Sequence, residues 1–154
     1  MAAALQQACP LDVTRIAPRL YQGSMPKVGH SVRRCGFDVL VLTAEEWQPP
    51  DSAYPGVTVL RVPLTDHGNP LSERAWNAAV ATSRRIALHL RQGKRVLTTC
   101  HAGLNRSGLV NVLTLHRLTG IAGKKLVPYL RSVRPGAFSN THFASTAEAL
   151  LLGQ

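Results

Sequence analysis

The chain has 154 residues, enough to bury one hydrophobic core and too few for two ordinary domains. Its 45% hydrophobic and 17% charged residues are typical of globular proteins, and no apolar stretch is long enough to span a bilayer, so no membrane segment is expected. Lysine and arginine total 18 against 8 acidic residues, and the net charge of +10 predicts attraction to anions such as phosphorylated ligands or nucleic acid, with an ordinary solvated surface as the alternative.

The first half of the chain predicts mainly short strands. Residues 38–43 and 57–62 are rich in valine and leucine, the composition of strands buried on both faces of a sheet. The Pro-Pro pair between them marks a turn. The other elements predicted in this half are strands at residues 13–16 and 20–22 and a short helix at residues 27–35.

The second half predicts helices around one more strand. Ser72 is a helix N-cap candidate, and apolar residues recur at helical spacing through residues 73–92. Residues 95–99 form a third buried-strand candidate, which a short glycine-bearing loop connects to a helix at residues 106–118. Two further helices are predicted at residues 124–133 and 141–151. This alternation predicts one α/β domain, residues 1–154, with a largely parallel sheet.

The N-terminus and the cysteines bear on the cellular compartment. Residues 1–10 lack a basic start and an apolar block of signal-peptide length, so they are predicted to be a tail. Cys9, Cys35 and Cys100 are odd in number and far apart, which is a poor framework for disulfides and contains no C-x-x-C pair for zinc. We therefore expect a cytoplasmic location, reduced thiols and no metal.

The stretch Cys100-His-Ala-Gly-Leu-Asn-Arg-Ser-Gly108 contains the pattern C-x5-R-S between a predicted strand and a predicted helix. A phosphoryl group needs several hydrogen-bond donors around its oxygens and a nucleophile opposite the leaving group. A strand–loop–helix turn supplies both, because loop N–H groups and the positive end of the helix dipole converge on one point. The spacing alone arises by chance too readily, and the flanking strand, glycine and helix give it specificity.

This loop has predicted catalytic and phosphate-binding roles. Cys100 is the predicted nucleophile, because a thiol at a helix N-terminus beside Arg106 is expected to ionise at neutral pH. The planar guanidinium of Arg106 binds two phosphate oxygens at once, and Ser107 donates a hydrogen bond to the sulfur. A buried structural cysteine and a solvated arginine are the alternative interpretation. The predicted phosphate-binding loop comprises His101, Ala102, Gly103, Leu104, Asn105 and Arg106.

The departing oxygen needs a proton donor, and residues 74–147 contain no acidic residue. Asp66 stands apart among the remaining acids, because it follows a predicted buried strand at the sheet edge where Cys100 also emerges. Nearby proline and glycine residues would allow its loop to move. Asp66 is therefore the predicted general acid. His67 is the alternative donor, and an ordinary turn aspartate is the other interpretation of Asp66.

Together these segments resemble the dual-specificity phosphatases, the compact branch of the protein tyrosine phosphatase superfamily. The resemblance includes the family's opening strand at Leu20-Tyr-Gln-Gly-Ser24, its general-acid loop at Val62-Pro-Leu-Thr-Asp66 and its phosphate loop at residues 100–108. It extends to Arg134-Pro-Gly-Ala-Phe-Ser-Asn140, which resembles the start of the family's last helix. These segments cover most of the chain and occur in the family's order.

The resemblance implies a three-layer sandwich with a central, mostly parallel sheet between helices. It also implies hydrolysis of phosphomonoesters, such as phosphotyrosine and phosphoserine or phosphothreonine of a partner protein. In the family's mechanism, Cys100 would form a phosphocysteine while Asp66 protonates the leaving group, and Asp66 would then activate water. The resemblance implies no metal and no organic cofactor.

Two departures from the family's pattern leave alternatives open. Thr99 stands where the family usually has a histidine before the nucleophile, so the support of the loop is open. Gly103-Leu-Asn-Arg106 resembles the loop of RNA 5′-triphosphatases of the same superfamily, and the basic second half of the chain would suit RNA. Those enzymes, however, typically have histidine at the place of Ala102 and threonine at that of Ser107, and their diphosphate leaving group needs little protonation.

A third hypothesis is an inactive module that only binds phosphate. Such proteins usually lose the nucleophile or the acid, whereas Cys100, Arg106 and Asp66 are all present. The sequence does not predict an oligomeric state.

Overall fold

A five-stranded sheet in the order β1-β2-β5-β3-β4 forms the centre of the computed structural model, which describes residues 9–150. The strands are β1 (Val13–Ala17), β2 (Leu20–Gly23), β3 (Val39–Ala44), β4 (Thr58–Leu64) and β5 (Val96–Thr99). β1 pairs antiparallel with β2, while the β2–β5, β5–β3 and β3–β4 pairs are parallel. The predicted α/β fold with a mostly parallel sheet is confirmed.

The two central strands are buried on both faces. Every residue of β3 and of β5 is buried, as their uninterrupted apolar and threonine composition requires. In the register of the sheet, Thr99 at the end of β5 lies beside Gly23 of β2 and Leu42 of β3. The loops that follow these parallel strands therefore leave the same edge of the sheet, which is where Cys100 emerges.

Helices cover both faces of the sheet. They are α1 (Ser31–Arg34), α2 (Glu73–Arg91), α3 (Arg106–Thr119), α4 (Gly123–Val133) and α5 (Thr141–Glu148). Helices α2 to α5 contribute to the larger apolar cluster on one face, whereas α1 and the loops around it contribute to a smaller cluster on the other. Among the described residues, no helix is both long and apolar enough to cross a membrane.

Local chemistry sets several helix ends. The Ser72 side chain accepts a hydrogen bond from the Ala75 backbone N–H at 3.1 Å, so Ser72 caps α2 as predicted. The helix predicted at residues 27–35 is shorter, because Gly29 has a φ of 111° that ends any helical run before α1 begins at Ser31.

A disulfide joins Cys9 to Cys35, so the expectation of reduced thiols at these two positions is wrong. The two cysteines are 26 residues apart in the sequence, but their Cα atoms lie 5.1 Å apart. The chain before β1 returns to the smaller apolar cluster in which Cys35 is buried. Cys100 is the free cysteine of the described part of the chain. Cys9 is therefore anchored to the domain, and residues 1–8 of the predicted tail lie outside the described residues.

Reduction of this disulfide is expected to lower the free energy of unfolding by about 3 kcal/mol, because it releases the unfolded chain from a closed loop. Urea unfolding with and without dithiothreitol measures the difference. The Cys9→Ser/Cys35→Ser double variant is the control and should not respond to the reductant. An unchanged unfolding midpoint of the unsubstituted protein would contradict the expectation.

Candidate active site

The loop from Cys100 to Asn105 connects the central strand β5 to the buried helix α3. Its carbonyl groups are hydrogen-bonded on one side: the Met25 N–H donates to the His101 oxygen at 3.0 Å, and Arg134 donates to the Ala102 oxygen at 3.1 Å. The backbone N–H groups of residues 101–105 have no acceptor within residues 9–150. A run of such N–H groups at the start of a helix is an anion-binding arrangement.

Arg134 is the main support behind the loop. Its side chain is 7% exposed, and its Nε donates to the Gly103 oxygen at 2.7 Å. Its guanidinium also forms an ion pair with Asp12, with 2.7 Å between Nη2 and Oδ2, and donates to Thr14 Oγ1 at 2.9 Å. The hydrogen bond from Arg134 lowers the pKa of the Asp12 carboxyl below its ordinary value, so the pair is charged at neutral pH.

A second support is a buried pair of amide side chains. Gln22 Nε2 donates to the Gly103 oxygen at 2.9 Å, and Asn111 Nδ2 of α3 donates to Gln22 Oε1 at 3.1 Å. Both side chains are fully buried, where an amide is costly unless it is hydrogen-bonded. Sequence reasoning missed Gln22, Asn111 and the role of Arg134. Gln22 and Asn111 could have been identified from the sequence because each is a polar residue within a largely apolar strand or helix.

Cys100 lies at the base of the loop. Its side chain is 3% exposed, and its Sγ lies 3.2 Å from Ser107 Oγ in the first turn of α3. Neither apolar cluster of the described residues includes it. The structure thus brings the predicted nucleophile and the predicted hydrogen-bond donor together at a buried position.

Arg106 is buried as well, with 4% of its side chain exposed. Its Nη1 donates to the backbone oxygen of Leu64 at 3.0 Å and to both carboxylate oxygens of Glu46, with 3.1 Å to Oε2. The hydrogen bond from Arg106 lowers the pKa of the Glu46 carboxyl below its ordinary value. The Nε of Arg106 is buried and has no hydrogen-bond partner among residues 9–150. Glu46 therefore fixes one side of the guanidinium and leaves its Nε edge to a ligand.

Asp66 lies against the phosphate loop, on the segment that follows β4. Its Oδ2 accepts a hydrogen bond from Asn105 Nδ2 at 3.0 Å, and its Oδ1 accepts from Asn140 Nδ2 at 2.8 Å. The Asn105 oxygen in turn accepts from the Asn140 backbone N–H at 2.9 Å. Two amides from distant parts of the chain thus hold the carboxylate beside the loop. Sequence reasoning assigned neither amide to this task.

The alternative donor, His67, is used within its own loop. Its Nδ1 accepts a hydrogen bond from the Asn69 N–H at 3.0 Å, and its backbone oxygen accepts from Asn140 Nδ2 at 2.7 Å. His67 is thus bound within its own loop, whereas Asp66 accepts a hydrogen bond from Asn105 of the phosphate loop.

Thr99, the departure from the family's histidine, supports the sheet and not the loop. Its hydroxyl donates to the Val41 oxygen at 2.9 Å, and its backbone oxygen accepts from Thr43 Oγ1 at 2.7 Å. The remaining loop positions differ in exposure: His101 and Ala102 are exposed, whereas Leu104 is half-buried and its oxygen accepts from the Phe138 N–H at 3.2 Å. Within the part of the chain that the structure describes, no three His, Cys, Asp or Glu side chains are grouped closely enough to hold a metal ion.

The path of this loop requires a glycine at position 103. Its φ is 73°, and a Cβ at this position would lie 2.5 Å from the carbonyl carbon and oxygen of Gly23. Gly103→Ala is therefore expected to displace the loop and to weaken inhibition by inorganic phosphate or vanadate at least tenfold. The matched control is Gly68→Ala, whose added Cβ meets nothing within 4 Å and which should keep the affinity. Equal affinities for both variants would contradict the requirement.

Comparison with known proteins places this geometry in context. No family model matches the chain. Dual specificity phosphatase 28 of mouse is 30% identical to it over 139 residues, which cover 89% of this chain and 82% of the relative. The human protein of the same name is 29% identical over 136 residues, covering 88% of this chain and 76% of the relative. The crystal structure of human DUSP28 superposes with a TM-score of 0.75, covering 90% of this chain and 92% of that chain at 29% identity.

Proposed function

The chain belongs to the dual-specificity phosphatases and is a cysteine-based phosphatase, and we propose that four residues carry its reaction: Cys100, Arg106, Asp66 and Ser107. The observation that carries the proposal is the phosphate loop. The N–H groups of residues 101–105 have no protein acceptor within the described range, while the loop carbonyls are hydrogen-bonded behind it. This arrangement favours a bound anion with several oxygens, directly beside a free thiol.

The first step is the transfer of the phosphoryl group to the sulfur. The thiolate of Cys100 attacks phosphorus, and the bond from phosphorus to the leaving oxygen breaks. The loop N–H groups and the Nε edge of Arg106 donate to the three non-bridging oxygens, where negative charge must be stabilised in the transition state. Asp66, in its protonated form, gives its proton to the departing oxygen.

The second step releases phosphate. Asp66, now a carboxylate, takes a proton from a water molecule, which attacks the phosphorus of the phosphocysteine. The bond between sulfur and phosphorus breaks, and the sulfur leaves as a thiolate. The hydroxyl of Ser107, 3.2 Å from the sulfur, donates a hydrogen bond that stabilises this leaving group. Asn105 and Asn140 keep Asp66 beside the loop for both proton transfers.

The substrates that we propose are phosphotyrosine and phosphoserine or phosphothreonine of proteins. The position of Asp66 supports monoesters, because an ester oxygen is a poor leaving group without a proton. No observation favours RNA 5′-triphosphate, whose leaving group needs little protonation. We assign the whole reaction to one domain. A cytoplasmic location stays a prediction, and the Cys9–Cys35 disulfide weakens the cysteine argument on which it was based.

Substitutions at Cys100 and Asp66 should have different effects on turnover and on its dependence on the leaving group. Cys100→Ser should abolish turnover but retain phosphate binding, because the N–H groups and Arg106 remain. Asp66→Ala should lower kcat about 100-fold for an alkyl or phenyl phosphate and much less for an activated nitrophenyl phosphate, whose oxygen leaves without a proton. Steady-state kinetics with a series of leaving groups measures this dependence. Equal loss across the series would remove Asp66 as the acid.

A side-by-side assay tests the substrate class. Phosphate release is measured from a phosphotyrosine peptide, a phosphoserine peptide, a phosphoinositide and a 5′-triphosphorylated RNA, each with Cys100→Ser as the blank. We expect the highest kcat/KM with the phosphopeptides. A higher value with the triphosphorylated RNA would replace the protein-phosphatase assignment, and phosphate release by Cys100→Ser would exclude the cysteine mechanism.

A further inference from the structure

A groove of about 340 Å³ lies between α2 and α3, and none of its lining residues belongs to the proposed catalytic set. Its lining includes Trp76, Val80, Arg84, Leu113, Arg117 and Leu150. Those from α2 are four residues apart along the helix, so they lie on one face of it. The groove is thus a separate surface, formed where two long helices pack against each other.

The groove combines an apolar floor with a basic rim. Leu113 and Leu150 are buried, and Trp76 and Val80 are half-buried. Arg84 and Arg117 are exposed, and neither forms an ion pair with any residue of the described range. No acidic residue contributes to the lining. Half-buried aromatic surface beside unpaired arginines is the composition that protein interfaces favour over the rest of a protein surface.

The charged side chains that line the groove are basic. No acidic residue occurs in the sequence between Glu73, at the start of α2, and Glu148, at the end of α5. Two copies of this chain, each with a net charge of +10, would bring like charges together at this face, which disfavours self-association there. The charge therefore favours an acidic partner.

We propose that this groove docks a segment of the protein substrate that carries acidic side chains around one or two large apolar ones. The apolar side chains would cover Trp76 and Val80, and the carboxylates would bind Arg84 and Arg117. A nucleic acid fits less well, because it needs a track of phosphate contacts and this floor is mainly aliphatic. The inference rests on the protein substrates proposed above.

The distance between the groove and the catalytic site sets the length of a test peptide. Helix α3 begins at Arg106, and Leu113 and Arg117 lie about 10 Å and about 16 Å further along its axis. A flexible Gly/Ser linker of about ten residues has an average span of about 17 Å, which matches this distance. A phosphotyrosine followed by such a linker and the docking segment can therefore engage both surfaces at once.

The test compares three phosphotyrosine peptides: one that ends after the linker, one that continues into a Leu/Glu-rich segment, and one in which lysines replace the glutamates. With the unsubstituted protein, the acidic segment should lower KM about tenfold at unchanged kcat, and the lysine version should not. Arg84→Glu/Arg117→Glu should remove this gain but keep the kinetics of the short peptide. The matched control is Arg15→Glu/Arg91→Glu, which changes the charge equally at exposed positions outside the groove.

Binding is measured separately from activity. The chain has two tryptophans, so Trp47→Phe leaves Trp76 as the reporter, and the unphosphorylated acidic segment should change its fluorescence. If none of the three phosphopeptides is hydrolysed, the protein-phosphatase proposal fails, and this titration still decides the docking proposal. Equal KM for all three peptides, an equal loss in the control variant, no fluorescence change, or displacement of the segment by single-stranded RNA would each overturn the docking proposal.

Discussion

Arg134 and Gln22 both donate hydrogen bonds to the carbonyl oxygen of Gly103 from the interior side of the phosphate loop. A peptide loop can offer several N–H groups to one anion only if its carbonyl groups are held elsewhere. The buried supports of the loop follow from this constraint. Asp12 balances the charge of Arg134, and Asn111 satisfies the amide of Gln22. The αL conformation of Gly103 then lets the loop pass close to the end of β2.

Both buried arginines of the site have a carboxylate partner. Arg106 is paired with Glu46 and Arg134 with Asp12, although the chain as a whole has a large excess of positive charge. An unpaired buried charge would be strongly destabilising. The pKa of each partner carboxyl is lowered by its arginine, so the pairs persist at neutral pH and are lost as the pH falls through the lowered values. The site thus combines fixed charges with one guanidinium edge left to a ligand.

The fold and the loop were predictable because both are encoded locally. Buried strands such as β3 are recognised by their largely apolar sequence, and the Cys100 loop joins a strand and a helix through six residues. The supports were not predictable in the same way. Glu46 and Asn140 reach the site from distant segments, and no local pattern distinguishes them from other polar turn residues. The resemblance included the segment of Arg134 but did not reveal its contacts.

The two errors have different physical causes. The Cys9–Cys35 disulfide depends on how the chain before β1 returns to the domain, which spacing along the sequence does not indicate. The helix expected at residues 27–35 fits the local composition, but one glycine dihedral shortens it. Predictions from periodicity held where a segment is buried along its length, whereas the helix bound failed at one local glycine dihedral and the expectation of reduced thiols failed at one long-range contact.

The disulfide attaches the segment before β1 to the rest of the domain. Cys9 is bonded to Cys35, and Asp12, three residues later, is the counter-ion of the arginine that holds the Cys100 loop. The covalent tether and the loop are thus parts of one chain of contacts. A fragment trimmed to the first strand would keep all four residues of the proposed catalytic set and yet leave Arg134 as a buried cation without its carboxylate.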